Sequence, residues 1–214
     1  MAEAPELLTL FRAIAEQDRA LAARLLSAAP HLARKALVVG ASRQAPNPYF
    51  FERICHYVYA GDTALHVAGA AYDVETAQTL LANGAEARAR NRRGAEPLHY
   101  AADGIPGSGA WEPEAQAAII RLLIRAGADP NAKDKSGVAP LHRAVRTRCA
   151  AAVQSLLENG ADPIGKNKSG STPLELATQN TGRGGSASAA ARAEQQEIIQ
   201  LLRAHGAGVQ LTEN

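Results

Sequence analysis

The sequence predicts an all-α fold, a solenoid of stacked helix pairs. Three observations carry that expectation. Four related words, DTALHVA from Asp62, AEPLHYA from Ala95, VAPLHRA from Val138 and STPLELA from Ser171, place Leu65, Leu98, Leu141 and Leu174 at gaps of 33, 43 and 33. A second word follows each of them: LLANGAE, LIRAGAD, LLENGAD and the weaker LRAHGAG. The distances from Leu80 to Leu98, Leu123 to Leu141 and Leu156 to Leu174 are all 18, so the two words keep one register. Finally, 46% of the 214 residues are apolar but only 4% are aromatic, and small side chains suit helices that pack closely. A fixed period of this length marks stacked supersecondary units, each too small to bury its apolar face alone.

The elements follow in chain order. LFRAIAEQDRALAARLL from Leu10 aligns with LHRAVRTRCAAAVQSLL from Leu141, with 15 positions between the paired leucines in each. This gives a first helix pair over residues 6–31. An insertion over 32–59 separates it from the next unit. It gathers Tyr49, Phe50, Phe51, Tyr57 and Tyr59, five of the nine aromatic residues. Asn47-Pro48 reads as a helix start, and Phe51, Ile54 and Val58 at i, i+3 and i+7 would share one helix face packed on the first two units. Further units span 61–93, 94–136, 137–169 and 170–208. The third carries an insertion over 103–113 that holds Trp111, the single tryptophan, and enters the following helix through Pro113. The last carries an insertion over 181–193.

Helix boundaries are legible from cap chemistry. Thr63 and Thr172 can cap first helices through their hydroxyls. Pro97, Pro140 and Pro173 occupy first turns, where a missing N–H is harmless. Gly84, Gly127, Gly160 and Gly206 close the second helices, where φ > 0 is cheap only for glycine. Glu96 and Ala139 stand where threonine would cap, so weaker caps are expected there. Thr172-Pro173-Leu174-Glu175 reads as a capping box. The last helix, EQQEIIQLLRAHG, mixes Glu194, Gln195, Glu197 and Gln200 with Ile198, Ile199 and Leu201, the polar outer face expected of a terminal unit.

With its 33-residue period and T-P-L-H-x-A word, the chain resembles the ankyrin repeat family. The resemblance covers nearly the whole chain apart from the three insertions and a short tail. It implies a β-turn finger and two antiparallel helices in each repeat, hence a single ankyrin-repeat solenoid of five repeats. It also implies that fingers and first helices line the concave side, and that the recurring histidine is a structural hydrogen-bonding residue. The implied function is non-catalytic protein binding, as an adaptor, scaffold or inhibitor. Two alternatives remain open: a regulatory or immunity protein that directly blocks a partner enzyme, and a nucleic-acid-associated protein using basic finger tips.

Catalytic and metal chemistry are not expected. His66, His99 and His142 hold one position in successive repeats. Stacked helices lie roughly 8–10 Å apart, whereas zinc ligands lie about 2 Å from a shared ion. Cys55-His56 is adjacent only in sequence, which does not set a base against a thiolate. GRGGS at 182–186 lacks the Lys-Ser/Thr ending of a phosphate loop. No cofactor is expected. Two widely spaced cysteines suggest no disulfide framework, and no segment reads as a leader or a membrane span. A cytoplasmic monomer is expected when unbound.

The fingers align as RARNRRG, NAKDKSG and IGKNKSG. Arg90, Lys133 and Lys166 form one basic rail and Arg92, Lys135 and Lys168 a second, with Arg88 and Arg93 extra at one end. These residues are expected to be exposed, with few intramolecular acid partners. With a net charge of +2, the expected partner is another protein with an acidic surface rather than nucleic acid. Tyr49, Phe50, Tyr57, Tyr59 and Trp111 complete the candidate contact residues as aromatic anchors.

Overall fold

The computed structural model describes residues 5–109, 111–179 and 189–208, with the side chains of 189–191 left out. Among the described residues ten α-helices follow one another in pairs: α1 (Pro5–Ala15) and α2 (Arg19–Ala28), α3 (Ala64–Ala70) and α4 (Val74–Ala82), α5 (Pro97–Ala101) and α6 (Pro113–Arg125), α7 (Pro140–Thr147) and α8 (Ala150–Glu158), α9 (Pro173–Thr178) and α10 (Ala189–Ala204). Within each pair the two helices touch. First helices then contact first helices in the order α1, α3, α5, α7, α9, and second helices contact second helices in the order α2, α4, α6, α8, α10. The result is the two-layer helical solenoid that the spacing predicts.

The leading leucines form its spine. Leu10, Leu65 and Leu98 are fully buried, and Leu141 is 1% exposed. Leu25's counterparts on the other layer, Leu80, Leu123 and Leu156, are fully buried as well. A single apolar cluster runs from Leu7 to Ala207, because each helix pair covers the face its neighbour leaves open. Helix ends follow the cap residues. Gly84, Gly127, Gly160 and Gly206 all have positive φ, and Thr172 and Glu175 form the reciprocal box, with Thr172 N–H donating to Glu175 Oε2 at 2.7 Å and Glu175 N–H to Thr172 Oγ1 at 3.2 Å.

The first insertion departs from expectation. Residues 47–58 form no α-helix. Asn47–Tyr49 is one 3-10 turn, and Phe50–Phe51 (β1) pairs antiparallel with His56–Tyr57 (β2), Phe50 opposite Tyr57 and Phe51 opposite His56. The physical reason lies in composition: aromatic and β-branched residues favour a half-buried pleated surface. Cys55, at φ 47°, turns the chain in a way no helix interior allows. The packing role survives the change of element. Phe51 is 7% exposed, Val58 is fully buried and Ile54 packs partly buried against the core.

The terminal helix is amphipathic, with Glu197 and Gln200 exposed. Ile198 and Leu202 are buried, while Glu194 Oε2 accepts the Ala150 N–H at 2.9 Å and Gln195 Nε2 donates to Ala177 O at 2.7 Å. Glu194 and Gln195 therefore tie α10 to α8 and α9. Of the third insertion, 181–188, including GRGGS, lies outside the described residues.

Candidate binding surface

The fingers are built from one repeated side chain. Asn91, Asp134 and Asn167 each accept two backbone N–H groups through one oxygen: Arg93 and Ala95 at 2.9 and 3.1 Å, Ser136 and Val138 at 2.8 and 3.0 Å, Ser169 and Ser171 at 2.9 and 3.0 Å. Short acceptor side chains of this kind close a turn without help from tertiary structure. Consecutive fingers are then laced together. Arg92 N–H donates to Ala60 O, Lys135 N–H to Arg93 O and Lys168 N–H to Ser136 O, at 2.7, 2.9 and 3.1 Å. Close approach is required: a Cβ on Gly137, at φ 72°, would stand 2.7 Å from the Lys168 backbone nitrogen. The second basic rail is thus a ladder of backbone bonds with its side chains turned outward.

Arg88, Arg90, Arg92, Arg93, Lys133, Lys135, Lys166 and Lys168 are all exposed. Their partners divide them. Among the described residues no acid stands within ion-pair distance of the four lysines, and Lys133 Nζ donates instead to Lys166 O at 3.0 Å. The arginines depart from the expectation of few acid partners. Arg88 Nη2 lies 3.8 Å from Asp129, and Arg90 meets the fully buried Glu96 at 2.9 Å. Arg92 donates to the Ala41 carbonyl, and the guanidiniums of Arg92 and Arg93 lie 5.2 and 4.4 Å from the centre of the Tyr59 ring. The first insertion folds back against this finger, which no register argument could show.

Glu96 explains why Arg90 is anchored. Burial pushes its carboxyl above the usual range, and the Arg90 hydrogen bond and charge pull it back. Arg90→Glu would leave one buried carboxylate facing another acid. Removing one member of a buried pair costs about 3–5 kcal/mol; Arg90 is 52% exposed, and solvent screening brings the expected loss to roughly 1–3 kcal/mol. Lys135→Glu is expected to change stability by less than about 1 kcal/mol. Urea midpoints of the two variants check the contrast, and equal midpoints would show that Glu96 does not depend on Arg90.

The histidines are structural by position. The backbone N–H groups of Thr63, Glu96 and Ala139 donate to Nδ1 of His66, His99 and His142 at 3.1, 3.1 and 3.3 Å. Nδ1 is therefore the acceptor, and Nε2 carries the proton toward Ala95 O, Val138 O and Ser171 O of the next repeat, at 3.1, 3.0 and 3.3 Å. Each imidazole caps its own helix and clips the following finger. Glu96 and Ala139 thus lack a threonine hydroxyl without leaving their N–H groups unpaired. Both ring nitrogens are occupied by backbone, and among the described residues no His, Cys, Asp and Glu group suits a metal ion.

A buried polar knot joins the second finger to this layer. Asp62, fully buried, accepts Tyr59 N–H at 2.6 Å, the Tyr100 hydroxyl at 2.7 Å and Asn91 Nδ2 at 2.8 Å. On α7, Arg143 bridges two carboxylates, Asp103 at 2.9 Å and Asp134 at 3.3 Å.

The aromatic candidates separate into core and surface. Phe50 and Tyr57 stack across the hairpin with centroids 4.7 Å apart, Tyr57 is 36% exposed, and Tyr49 packs partly buried on the core. Trp111 is half-buried, its indole N–H donating to Gln116 Oε1 at 2.9 Å. The hairpin, which begins at Phe50, and the second insertion, which begins at Asp103, belong to neither word of the repeat and converge over the ends of the first helices. Between them lies a cavity of about 400 Å³. Its walls include His56, Tyr72, Tyr100 and Asp103; of these only His56 stands out in the sequence, and there as the neighbour of Cys55. The other sequence signal was the position of Asp103 at the head of an insertion. The Cys55 thiol donates to Glu52 O at 3.3 Å, and His56 turns away onto the Tyr100 ring. Cys149 is buried, which pushes its thiol up to about 12.

Two family descriptions match the chain. "Ankyrin repeat" matches residues 60–92 and 93–135, and "Ankyrin repeats (many copies)" matches 123–177. Together they cover more than half of the sequence. No curated protein matches it. Repeats of this kind are generally protein–protein interaction modules, and proteins built from them are typically non-catalytic. No helix among the described residues is long and apolar enough to cross a membrane.

Proposed function

The chain belongs to the ankyrin repeat family, and we propose that it acts as a non-catalytic adaptor, scaffold or inhibitor that binds a protein with an acidic surface. The proposal takes the chain as one domain of five repeats, over 6–31, 61–93, 94–136, 137–169 and 170–208. The observation that carries it is the row of exposed lysines on the laced fingers, Lys133, Lys135, Lys166 and Lys168, none of which forms an ion pair with an acid among the described residues, although the charge of Lys166 reaches Glu175. Unneutralised charge on a rigid edge steers an oppositely charged partner and fixes its register. Arg88, Arg90, Arg92 and Arg93 extend that edge, and Tyr59 lies against Arg92 and Arg93 as its aromatic contact.

The test reverses all four lysines to glutamate. The variant is expected to keep its melting temperature within about 1 kcal/mol of wild-type stability. A partner captured by the wild-type protein from its native cell is expected to be lost from the variant. Capture by both alike would move the binding surface away from the fingers. Binding to unrelated nucleic acids that falls steeply with salt would assign the rails to phosphates instead.

A further inference from the structure

We propose that the cavity between the two insertions is a binding site for a small organic cation with an apolar ring or branched hydrocarbon body. This goes beyond protein binding by the finger edge and uses different residues. The volume, about 400 Å³, falls within the range of about 300–1,000 Å³ that small-molecule sites occupy.

The walls are pre-arranged. The Tyr72 hydroxyl donates to Asp103 O at 2.6 Å, and the Trp111 indole is held by Gln116, whose Nε2 in turn donates to Ala101 O and Asp103 O at 3.0 and 3.2 Å. His56 stands edge-on to Tyr100, centroids 4.3 Å apart, and the Tyr100 hydroxyl is fixed on Asp62 from behind. Gly104 makes this closeness possible: a Cβ there would lie 2.7 Å from Cys149 Sγ and 2.9 Å from the Tyr72 oxygen. A site whose rings are already placed loses little ordering entropy when a ligand enters.

Charge selects the occupant. Asp103 lines the cavity, and both of its ionic contacts, Arg143 Nη1 at 2.9 Å and His56 Nε2 at 3.9 Å, are made by Oδ2. Arg143 serves Asp134 as well, so one guanidinium stands against two carboxylates. Glu112 adds a further carboxylate at the exposed rim. The cation that also lines the cavity, Arg53, is exposed and engaged with Gln17 Oε1 at 2.9 Å. Aromatic faces beside surplus carboxylate attract organic cations through the ring quadrupole and the ionic charge together.

Trp111 is the single tryptophan, so its emission reports this site alone. Phenethylammonium is expected to change it saturably. Neutral 2-phenylethanol is expected to bind roughly tenfold more weakly, the equivalent of one lost ionic contact, and 3-phenylpropionate more weakly still. n-Butylammonium, the size of a lysine side chain, should also fall roughly tenfold behind because it leaves the ring volume empty. Asp103→Asn is expected to weaken phenethylammonium roughly tenfold. Because Asp103 also holds Arg143, two variants at exposed positions accompany it. Glu112→Gln should weaken binding severalfold, and Ser108→Phe, which fills the mouth, should abolish it, both with an unchanged melting curve. Absence of a saturable response in the wild-type protein, equal binding of amine and alcohol, equal binding of n-butylammonium, or undiminished binding to Ser108→Phe would each overturn the proposal.

Discussion

Leu98→Ala is expected to lower the free energy of unfolding by about 2–5 kcal/mol, the range for emptying a buried leucine site. Leu98 is fully buried on α5, a helix of five residues that contacts α3 on one side, α7 on the other and α6 behind. So short a helix has little stability of its own; what holds it is the stacking on both neighbours. The loss therefore acts on two interfaces of the stack at once. Leu174 supplies the contrast. It leads the last first-layer helix and is only partly buried, so Leu174→Ala should cost less than half as much. Denaturant midpoints measure both. A Leu98→Ala midpoint equal to wild type would contradict the register of the repeats.

Acid is expected to weaken the fold well above the carboxylate range. Burial lowers the His66, His99 and His142 pKa values, with His99 brought to about 4. A group whose folded pKa lies below its unfolded value of about 6.5 binds its proton more readily when unfolded. Its contribution is fully present above pH 6.5 and declines as pH falls toward the folded pKa, by about 1.4 kcal/mol for each pH unit. At pH 5 His99 alone would lower stability by about 2 kcal/mol, and His66 and His142 act in the same direction. The structural cost is specific, because a proton on Nδ1 would confront the backbone N–H it now accepts. Glu96 and Glu194, whose pKa values are raised chiefly by burial, work the opposite way: they favour the folded state as pH falls through their folded values, and so soften the decline. Urea midpoints between pH 7 and pH 5 test the sum. His99→Gln, whose amide can accept at one atom and donate at the other, should make the slope shallower. A midpoint constant across that window would show that the three imidazoles remain uncharged in both states or equally charged in both.

Much of the fold was legible because it is local and repeated. The leucine spacing and the proline and glycine boundaries depend on residues a few positions apart and recur three or four times along the chain, and the Thr172–Glu175 box is equally local. The hairpin over 50–57 was legible as core and misread as helix. Phe51, Ile54 and Val58 are spaced for a helix face, but a single face of three residues does not outweigh the β preference of Phe50, Phe51, Tyr57 and Val58. Among the rail residues, exposure followed from finger position, whereas the Arg90–Glu96 pair depended on how far Glu96 sinks when the next helix covers it.

By itself the sequence determined the solenoid, its register and the outward basic rails, because each arises from short-range backbone and cap geometry and from periodic burial. Only the tertiary structure decided what the first two insertions do. They lie outside the period and have no copies to compare. Their places are set by contacts with distant groups: Tyr59 beneath Arg92 and Arg93, His56 against Tyr100, Tyr72 on the Asp103 carbonyl, Gly104 threaded between Cys149 and Tyr72. Such contacts bring together residues that share no spacing rule, and the cavity they enclose exists only once the repeats have stacked.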